Sequence, residues 1–363
     1  MGRALRVGVV GAGRISGQYS ATLARLPDLP VTAVTDLDPG RAQALADRHP
    51  GARVLPLDGM YAAGDVDVVL NLTTPAHHAP VALGAIAGGK HVYGEKPLAA
   101  DPPAAAEVVA AAQRAGVRVA CAPDTVLGSG VQTARAALDA GRIGVPYAAT
   151  AFMTVPGHER WHPDPEFYYL PGGGPLFDMG PYYLTALVHL LGPVETVTGM
   201  AARPRAERVI GDGPRAGTVF PVRTDTHVSG VLRHTSGALT TLLMSFDVWA
   251  TRLPYIEVYG SAGSLSLPDP NHFDGDVRLC TPDTPEWTVL PPGAGLAGGG
   301  RGIGLLDLAE AIAEGRPHRA SAEVALHVLE VMAAVATSAD TGGSVAVAST
   351  CERPAAVPYR TGW

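Results

Sequence analysis

The sequence of 363 residues is poor in cysteine, lysine and long apolar runs. Its three scattered cysteines, Cys121, Cys280 and Cys351, cannot form a disulfide framework, which predicts a reducing, cytoplasmic location. The mainly apolar runs, such as residues 108–112 and 184–191, are shorter than the roughly 18 residues of a membrane span, so we expect no membrane partner. A formal net charge of −7 without a basic stripe argues against a nucleic-acid partner.

Lysine is the scarcest charged residue. Of the 27 lysines and arginines, only Lys90 and Lys96 are lysines. Both lie in the segment GKHVYGEKP. Arginine stays protonated at any usable pH, whereas the pKa of a lysine amine moves with its surroundings. We interpret Lys96 as a candidate for chemistry that moves protons, and Lys90, in a turn before a strand, as structural. A compositional bias toward arginine is the alternative explanation.

A glycine turn follows the first apolar run, at residues 5–10. Gly11 and Gly13 let a backbone turn sharply and approach a pyrophosphate at a helix N-terminus, and the small Ser16 stands in place of a third glycine. Asp36 ends the next strand, where a carboxylate accepts hydrogen bonds from both ribose hydroxyls and repels a 2′-phosphate. The pattern predicts a dinucleotide site that prefers NAD to NADP. A glycine turn in another kind of α/β protein is the alternative.

The first 122 residues continue as alternating strands and helices. The predicted elements lie at residues 66–72, 79–87, 91–93, 103–115 and 118–122. This alternation is typical of a parallel, doubly wound sheet, whose ligands bind at the carboxyl ends of the strands. Thr74, Glu95 and Lys96 follow such ends, so topology alone predicts that Lys96 lies beside the cofactor. A second domain is predicted from about residue 123, where alternating strands at 228–233, 238–246 and 255–259 suggest an antiparallel meander.

Several motifs together resemble one protein family. In chain order they are GAGRIS with Asp36, TTPAHH, GKHVYGEKPL, GRIG, GGGPLFDMGPYY, YGSAGSL and RASAEVALHVLEVM. They resemble the Gfo/Idh/MocA oxidoreductases from about residue 5 to beyond residue 340. The resemblance implies an α/β protein with a Rossmann NAD(P)-binding domain at residues 1–122. It also implies an α+β substrate-binding domain at residues 123–363, with an open, mostly antiparallel sheet that forms homodimers or homotetramers.

The resemblance also implies an activity and a cofactor site. The activity is reversible, NAD(P)-dependent oxidation of a secondary alcohol of a sugar, cyclitol or glycoside. The cofactor residues are Gly11, Gly13, Arg14, Ile15, Asp36, Thr73, Thr74, Pro75, His78, Glu95 and Lys96. A structural role for His78, at the start of a helix, is the alternative. A catalytically silent regulator that binds NAD and a sugar is the alternative activity, although it would not need the EKP lysine.

A helix is predicted over residues 178–191, with Pro181 tolerated in its first turn. Polar residues recur on one face at helical spacing, namely Asp178, Tyr182, Thr185 and His189. Apolar residues form a separate stripe, namely Leu184, Leu187, Val188 and Leu191. A polar row on an apolar helix needs a polar neighbour, so we predict a substrate pocket near Asp178 and Tyr182.

Hydride transfer requires a base within about 2.6 to 3.2 Å of the reacting hydroxyl. The family uses the EKP lysine with an Asp-x-x-x-His pair, and here Tyr182 replaces the histidine, as in the branch with glucose-fructose oxidoreductase and dihydrodiol dehydrogenase. We hypothesise that Tyr182 is the acid/base and that the nearby positive charge of Lys96 lowers its pKa, while Lys96 also binds the reacting oxygen. Asp178 would orient Lys96 or a substrate hydroxyl. The alternatives are Tyr183 or a histidine as the base, and Asp178 as only a helix cap.

Residues 158–162 spell HExxH, the signature of zinc proteases. Prolines on both sides disfavour the helix which that chemistry needs, so we predict a loop and no metal site, with a zinc hydrolase as an alternative. In a sugar oxidoreductase this loop is expected to face the substrate. Trp161 and Tyr168 would cover apolar sugar faces and His162 would bond a hydroxyl, whereas a packed surface loop is the other interpretation.

Overall fold

The computed structural model describes residues 4–363, which form two compact units. The first unit combines the chain up to Ser129 with Ala294–Leu329 and Pro354–Trp363, and the second combines Gly130–Gly293 with Glu330–Arg353. The first unit therefore includes segments from late in the chain, which the division into residues 1–122 and 123–363 assigns to the second domain. That division stays a prediction.

Within residues 4–363, the first unit is built on a sheet of six parallel strands. They are β1 (Val7–Val10), β2 (Val31–Thr35), β3 (Arg53–Val54), β4 (Val68–Asn71), β5 (His91–Gly94) and β6 (Val119–Cys121). Their order is β3-β2-β1-β4-β5-β6, and every neighbouring pair is parallel. All residues of β1 and β4 are buried, which explains their continuous valine and leucine runs. The predicted doubly wound sheet is confirmed.

The structure describes nine α-helices in residues 4–363, two of which begin at capping aspartates. They are α1 (Ser16–Leu23), α2 (Pro39–Ala46), α3 (Leu57–Ala62), α4 (Pro75–Ala87), α5 (Pro102–Ala115), α6 (Ser129–Asp139), α7 (Gly174–Leu191), α8 (Ile303–Glu314) and α9 (Ala322–Thr341). The Asp38 carboxylate accepts from Gly40 N at 2.8 Å at the start of α2, and Asp101 accepts from Ala104 N at 2.9 Å at the start of α5. Because Pro75 suits a first turn, α4 begins four residues before the predicted helix.

The second unit carries a sheet of nine strands in the described part of the chain. They are β7 (Pro146–Thr154), β8 (Val194–Ala202), β11 (His227–His234), β12 (Leu239–Ser245), β13 (Ile256–Gly260), β14 (Gly263–Leu267), β15 (Val277–Thr281), β16 (Thr284–Leu290) and β17 (Val345–Ala346). Two short strands, β9 (Glu207–Val209) and β10 (Val219–Pro221), pair separately. The order is β16-β15-β14-β13-β7-β12-β11-β8-β17. Only β7 and β12 pair in parallel in this sheet, which confirms the mostly antiparallel prediction.

Helix α7 packs against β7, β11 and β12 and differs from its prediction in two respects. It begins at Gly174, with Gly173 as its N-cap, so Asp178 lies inside the helix and the cap interpretation of Asp178 is wrong. Pro181 is likewise an interior residue, tolerated without the N–H that would bond the preceding turn. The predicted start was wrong because glycines usually end helices, whereas here Pro175 follows them in the first turn.

Helix α9 is long and apolar enough, by length and composition, to cross a membrane. This helix does not stand out as a long apolar run in the sequence, because polar residues such as Glu330 and Ser338 interrupt it. In the structure 56% of its most apolar 18-residue stretch is buried, as in the core helix of a soluble protein. Gly180 of α7 approaches it so closely that a β-carbon there would lie 2.9 Å from Sδ of Met332.

Candidate functional site

The turn after β1 has the geometry of a dinucleotide-binding turn. Gly11 has φ +99°, and a β-carbon there would lie 2.8 Å from the Leu72 carbonyl, so only glycine fits. At Gly13 a β-carbon would meet no heavy atom of residues 4–363 within 4 Å. The hydroxyl of Ser16, the first residue of α1, donates to the Gly13 carbonyl at 2.7 Å. The open space at the start of α1 therefore fits a pyrophosphate.

Asp36 lies directly after β2 and its carboxylate is held in place by two amides. Oδ2 accepts from Ala12 N at 2.6 Å, and Oδ1 accepts from Asp38 N at 2.8 Å. The carboxylate thus lies against the glycine turn, where a ribose is expected. Of the other predicted cofactor residues in this turn, Arg14 is exposed and Ile15 is half-buried at the start of α1.

The turn between β4 and α4 is organised by Asn71, a residue that the sequence analysis missed. Its Oδ1 accepts from the Thr73 hydroxyl at 2.7 Å, and its Nδ2 donates to the His78 carbonyl at 3.0 Å. Thr74 is the N-cap of α4, and Pro75 is its first residue. The available signal was one asparagine at the end of the otherwise apolar strand VVLN. A buried polar side chain at a strand end indicates a shaped turn.

The ring of His78 lies between two carbonyl oxygens. Nδ1 is 2.6 Å from the oxygen of Pro97, and Nε2 is 2.9 Å from the oxygen of Thr73. A carbonyl only accepts, so a ring N–H must donate in each bond that forms. Only 2% of the residue is exposed. Because both nitrogens face the protein, the geometry supports the structural interpretation of His78 rather than a direct cofactor contact.

The EKP segment follows β5, and the Glu95 carboxylate is occupied by the protein itself. Its Oε1 accepts from the Tyr19 hydroxyl at 2.8 Å, and its Oε2 accepts from Lys96 N at 2.9 Å. Burial, followed by the charge of Glu95, raises the pKa of Tyr19 well above its ordinary value, so this phenol stays a donor. Lys90 has a different role, because its Nζ donates to the Ala63 carbonyl at 2.6 Å.

In the second unit, the carboxylate of Asp178 pairs with His158. His158 Nε2 lies 2.9 Å from Asp178 Oδ2, and both side chains are mostly buried. His158 Nδ1 is also buried and has no hydrogen-bond partner among residues 4–363. This pair was not predicted, because His158 was interpreted only as part of the HExxH segment.

Tyr182 lies one turn after Asp178 on α7 and is 7% exposed, whereas Tyr183 is 1% exposed. Burial raises the pKa of Tyr183 far above its ordinary value, which argues against Tyr183 as a base at neutral pH. Thr185 and His189, the next residues of the polar row, are fully buried. The whole helix from Gly180 to Leu191 is buried, so its polar residues do not form a solvent-facing stripe.

The segment before α7 contains two short 3₁₀ helices, His158–Arg160 and Glu166–Tyr169, rather than an α-helix. Its rings pack on one another: the centroids of His158 and Tyr168 are 4.6 Å apart, and those of His162 and Phe167 are 5.4 Å apart. Trp161 is 50% exposed although its ring lies 5.2 Å from that of His158. These rings form a partly open aromatic surface next to the Asp178 pair.

Glu159 of the HExxH segment serves a structural purpose. Its carboxylate accepts from Arg208 at 2.8 Å and from the Tyr169 hydroxyl, and Arg208 also binds Asp247. Burial, followed by the hydrogen bond to Glu159, raises the pKa of Tyr169 above its ordinary range. A glutamate bound in this way is a poor candidate for the base of a zinc hydrolase. Residues 4–363 contain no cluster of three or more side chains that could hold a metal ion.

The chain is similar to known oxidoreductases over most of its length. Residues 5–122 match the oxidoreductase family with an NAD-binding Rossmann fold, and residues 131–266 match the Gfo/Idh/MocA C-terminal domain. The dTDP-3,4-didehydro-2,6-dideoxy-alpha-D-glucose 3-reductase of Streptomyces violaceoruber is 33% identical over 295 residues, covering 80% of this chain and 81% of the relative. The 1,5-anhydro-D-fructose reductase of Ensifer adhaerens is 30% identical over 267 residues, covering 72% and 74%.

A crystal structure of an NAD binding oxidoreductase from Klebsiella pneumoniae has a TM-score of 0.82 at 25% identity, covering 95% of this chain and 99% of that one. The sheet order, the glycine turn and the family match together define the first unit as the NAD-binding Rossmann part of an oxidoreductase. The chain belongs to the Gfo/Idh/MocA family of oxidoreductases.

Proposed function

We propose that this protein transfers a hydride between NAD and a secondary alcohol or ketone of a sugar, cyclitol or glycoside. The observation that carries the proposal is on α7, where Asp178 binds His158 and Tyr182 follows one turn later on the same face. Alcohol oxidation requires groups that accept and return a proton, and phenol and carboxylate side chains do so. The relatives are reductases of a dTDP-linked deoxy sugar and of an anhydro sugar, which supports a carbohydrate substrate.

NAD, when bound, accepts or supplies the hydride. Gly11 and Gly13 would hold its pyrophosphate at the start of α1, together with the backbone of Arg14 and Ile15. The Asp36 carboxylate would accept hydrogen bonds from the ribose hydroxyls and would repel the 2′-phosphate of NADP. Thr73, Thr74, Pro75, Glu95 and Lys96 follow the ends of β4 and β5, where such a sheet binds its ligand.

Lys96, Tyr182 and Asp178 are the proposed catalytic residues. Tyr182 exchanges the proton of the reacting hydroxyl, and the Lys96 ammonium binds the reacting oxygen and favours the phenolate. Asp178 orients a substrate hydroxyl, and His158 positions the Asp178 carboxylate. His158 is not assigned as the base, because Nε2 is engaged with Asp178 and Nδ1 is buried.

The aromatic surface before α7 supports a ring-shaped substrate. Trp161 is half exposed, and the ring of Tyr168 packs beside His158. Aromatic side chains cover apolar faces of ligands well, while their polar atoms and neighbours bond hydroxyls. In this proposal Trp161 and Tyr168 stack on the sugar, and His162 bonds a hydroxyl.

The proposal extends to the assembly and its surroundings. Apolar side chains are exposed on adjacent strands of the nine-stranded sheet, including Met200 on β8, Val231 on β11 and Leu239 on β12. Burial of such side chains favours association, so we infer a homodimer or homotetramer through this sheet. We also infer a cytoplasmic protein without nucleic-acid or membrane partners. The net charge of −7 and three cysteines without a disulfide support this inference.

The experiment that tests the function is a steady-state assay of purified protein with NAD and with NADP. The substrate panel includes free sugars, cyclitols, glycosides and dTDP- or UDP-linked sugars, and ketones with NADH cover the reverse direction. We expect turnover on one of these classes with NAD. Protein that binds NAD but turns over none of the panel in either direction would instead favour the silent regulator.

A further inference from the structure

The amide of Lys96 is held by two successive hydrogen bonds that run through the half-buried Glu95 to the buried Tyr19. Lys96 N donates to Glu95 Oε2 at 2.9 Å, and Glu95 Oε1 accepts from the Tyr19 hydroxyl at 2.8 Å. Tyr19 belongs to α1, the helix after the glycine turn, and is 1% exposed. Loss of this hydroxyl would remove a hydrogen-bond donor from the half-buried Glu95 carboxylate, so we expect that carboxylate to change its position. Tyr19 therefore fixes the carboxylate that fixes the Lys96 amide.

The backbone after Lys96 is held separately by His78. Its Nδ1 lies 2.6 Å from the carbonyl oxygen of Pro97, the residue that follows Lys96. Its Nε2 lies 2.9 Å from the carbonyl oxygen of Thr73, in the turn before α4. The ring thus joins the EKP segment, residues 95–97, to the TTP turn, residues 73–75. Tyr19 bonds Glu95, whereas His78 contacts Pro97 and Thr73. The two residues therefore constrain Lys96 through separate contacts.

We propose that Tyr19 and His78 are positioning residues that brace the backbone on both sides of Lys96. A lysine amine stands on a flexible four-carbon stem. Its position is therefore reproducible only if the backbone that carries the stem is fixed. The brace also ties Lys96 to the glycine turn through α1 and to the TTP turn through α4. The inference rests on the proposed catalytic role of Lys96, but its main test reads the lysine directly.

The two-lysine composition makes that test possible. Protein labelled with ¹³C at the ε carbon of lysine gives one signal from Lys90 and one from Lys96. Lys90 is an internal reference, because its Nζ bonds the Ala63 carbonyl, away from the brace. In Tyr19→Phe we expect the Lys96 signal to shift and its titration midpoint to move, while the Lys90 signal stays in place.

Three further variants sharpen the comparison. His78→Leu removes the ring and both of its contacts and should also move the Lys96 signal. The amide of His78→Gln can still donate to the Pro97 carbonyl, so in that variant the signal should lie closer to its wild-type position. Tyr93→Phe is the matched control. Tyr93 is fully buried in the same core, with its ring centroid 6.3 Å from that of Tyr19, but no hydrogen bond joins its hydroxyl to Glu95. Its removal should leave the Lys96 signal unchanged.

Kinetics supply the second readout. In Tyr19→Phe and His78→Leu we expect kcat to fall roughly tenfold or more, because a small misplacement of a reacting group slows chemistry. The Kd for NAD should stay unchanged in Tyr19→Phe, whereas His78→Leu also loses the contact with Thr73 and should weaken NAD binding by less than it lowers kcat. The brace is refuted if both variants bind NAD and keep the wild-type Lys96 signal and titration. If one variant does not fold, the other decides. A moved Lys96 signal combined with full turnover of Lys96→Arg would support the brace and refute the catalytic role of Lys96.

Discussion

His158 Nε2 and Asp178 Oδ2 lie 2.9 Å apart, joining the loop before α7 to the second turn of that helix. Both side chains are mostly buried, so the pair has little access to water that could replace the bond. The His158 ring is further fixed by aromatic neighbours, with its centroid 4.4 Å from that of Phe246. The orientation of the Asp178 carboxylate therefore depends on His158.

His158→Phe tests that dependence. The phenyl ring can keep the contacts with Phe246 and Tyr168 but cannot bond Asp178, so we expect kcat to fall about tenfold or more with a shifted pH profile. His162→Phe is the matched substitution four residues later. Because His162 is proposed to bond a substrate hydroxyl, this substitution should raise KM with little change in kcat. Equal kinetic effects of the two substitutions would contradict the separate roles.

Tyr182 and Tyr183 offer a second matched comparison. Tyr182→Phe removes the proposed acid/base and should lower kcat by roughly 10²-fold or more, with NAD binding retained. Tyr183→Phe removes a phenol whose pKa burial raises, and turnover should change little. Stopped-flow measurement of the hydride-transfer step would compare the two directly. Near-normal transfer in Tyr182→Phe would require a different base.

The sequence was sufficient for the frame of the first unit because its signals are local. Continuous valine runs, a glycine turn and a carboxylate at the end of β2 lie within short stretches, and their spacing predicts a parallel sheet with a dinucleotide turn. Lys96 was identified by its scarcity and its place after a strand. Strands β11, β12 and β13 were placed within two residues of their observed bounds because alternation follows the pleat.

Partners distant in sequence could not be predicted in the same way. His158 and Asp178 are 20 residues apart, and Tyr19 and Glu95 are 76 apart, so no local spacing indicates either bond. Tertiary contacts decided both bonds. The start of α7 was misplaced for another reason, because Gly173 and Gly174 look like a loop, whereas Gly173 is the N-cap and Pro175 lies in the first turn.

Asp36 is predicted to decide between the two nicotinamide cofactors. Asp36→Ser removes the charge that repels a 2′-phosphate, and kcat/KM with NADP relative to NAD should rise roughly tenfold or more. Asp38→Asn is the control two residues later, since asparagine keeps the cap of α2 and should leave the ratio unchanged. The ratio is measured at constant substrate and ionic strength. An unchanged ratio in Asp36→Ser would mean that another group selects NAD.

Lys96 and Lys90 allow the same substitution at a proposed catalytic position and at a structural one. Lys96→Arg keeps the charge but replaces a compact amine with a guanidinium that stays protonated, so kcat should fall by roughly 10²-fold with the Kd for NAD nearly unchanged. Lys90→Arg should retain turnover, because a guanidinium can still donate to the Ala63 carbonyl. Steady-state kinetics with NAD titration separate the two effects. Full turnover in Lys96→Arg would show that positive charge alone suffices at this position, and that proton chemistry does not explain why lysine stands there.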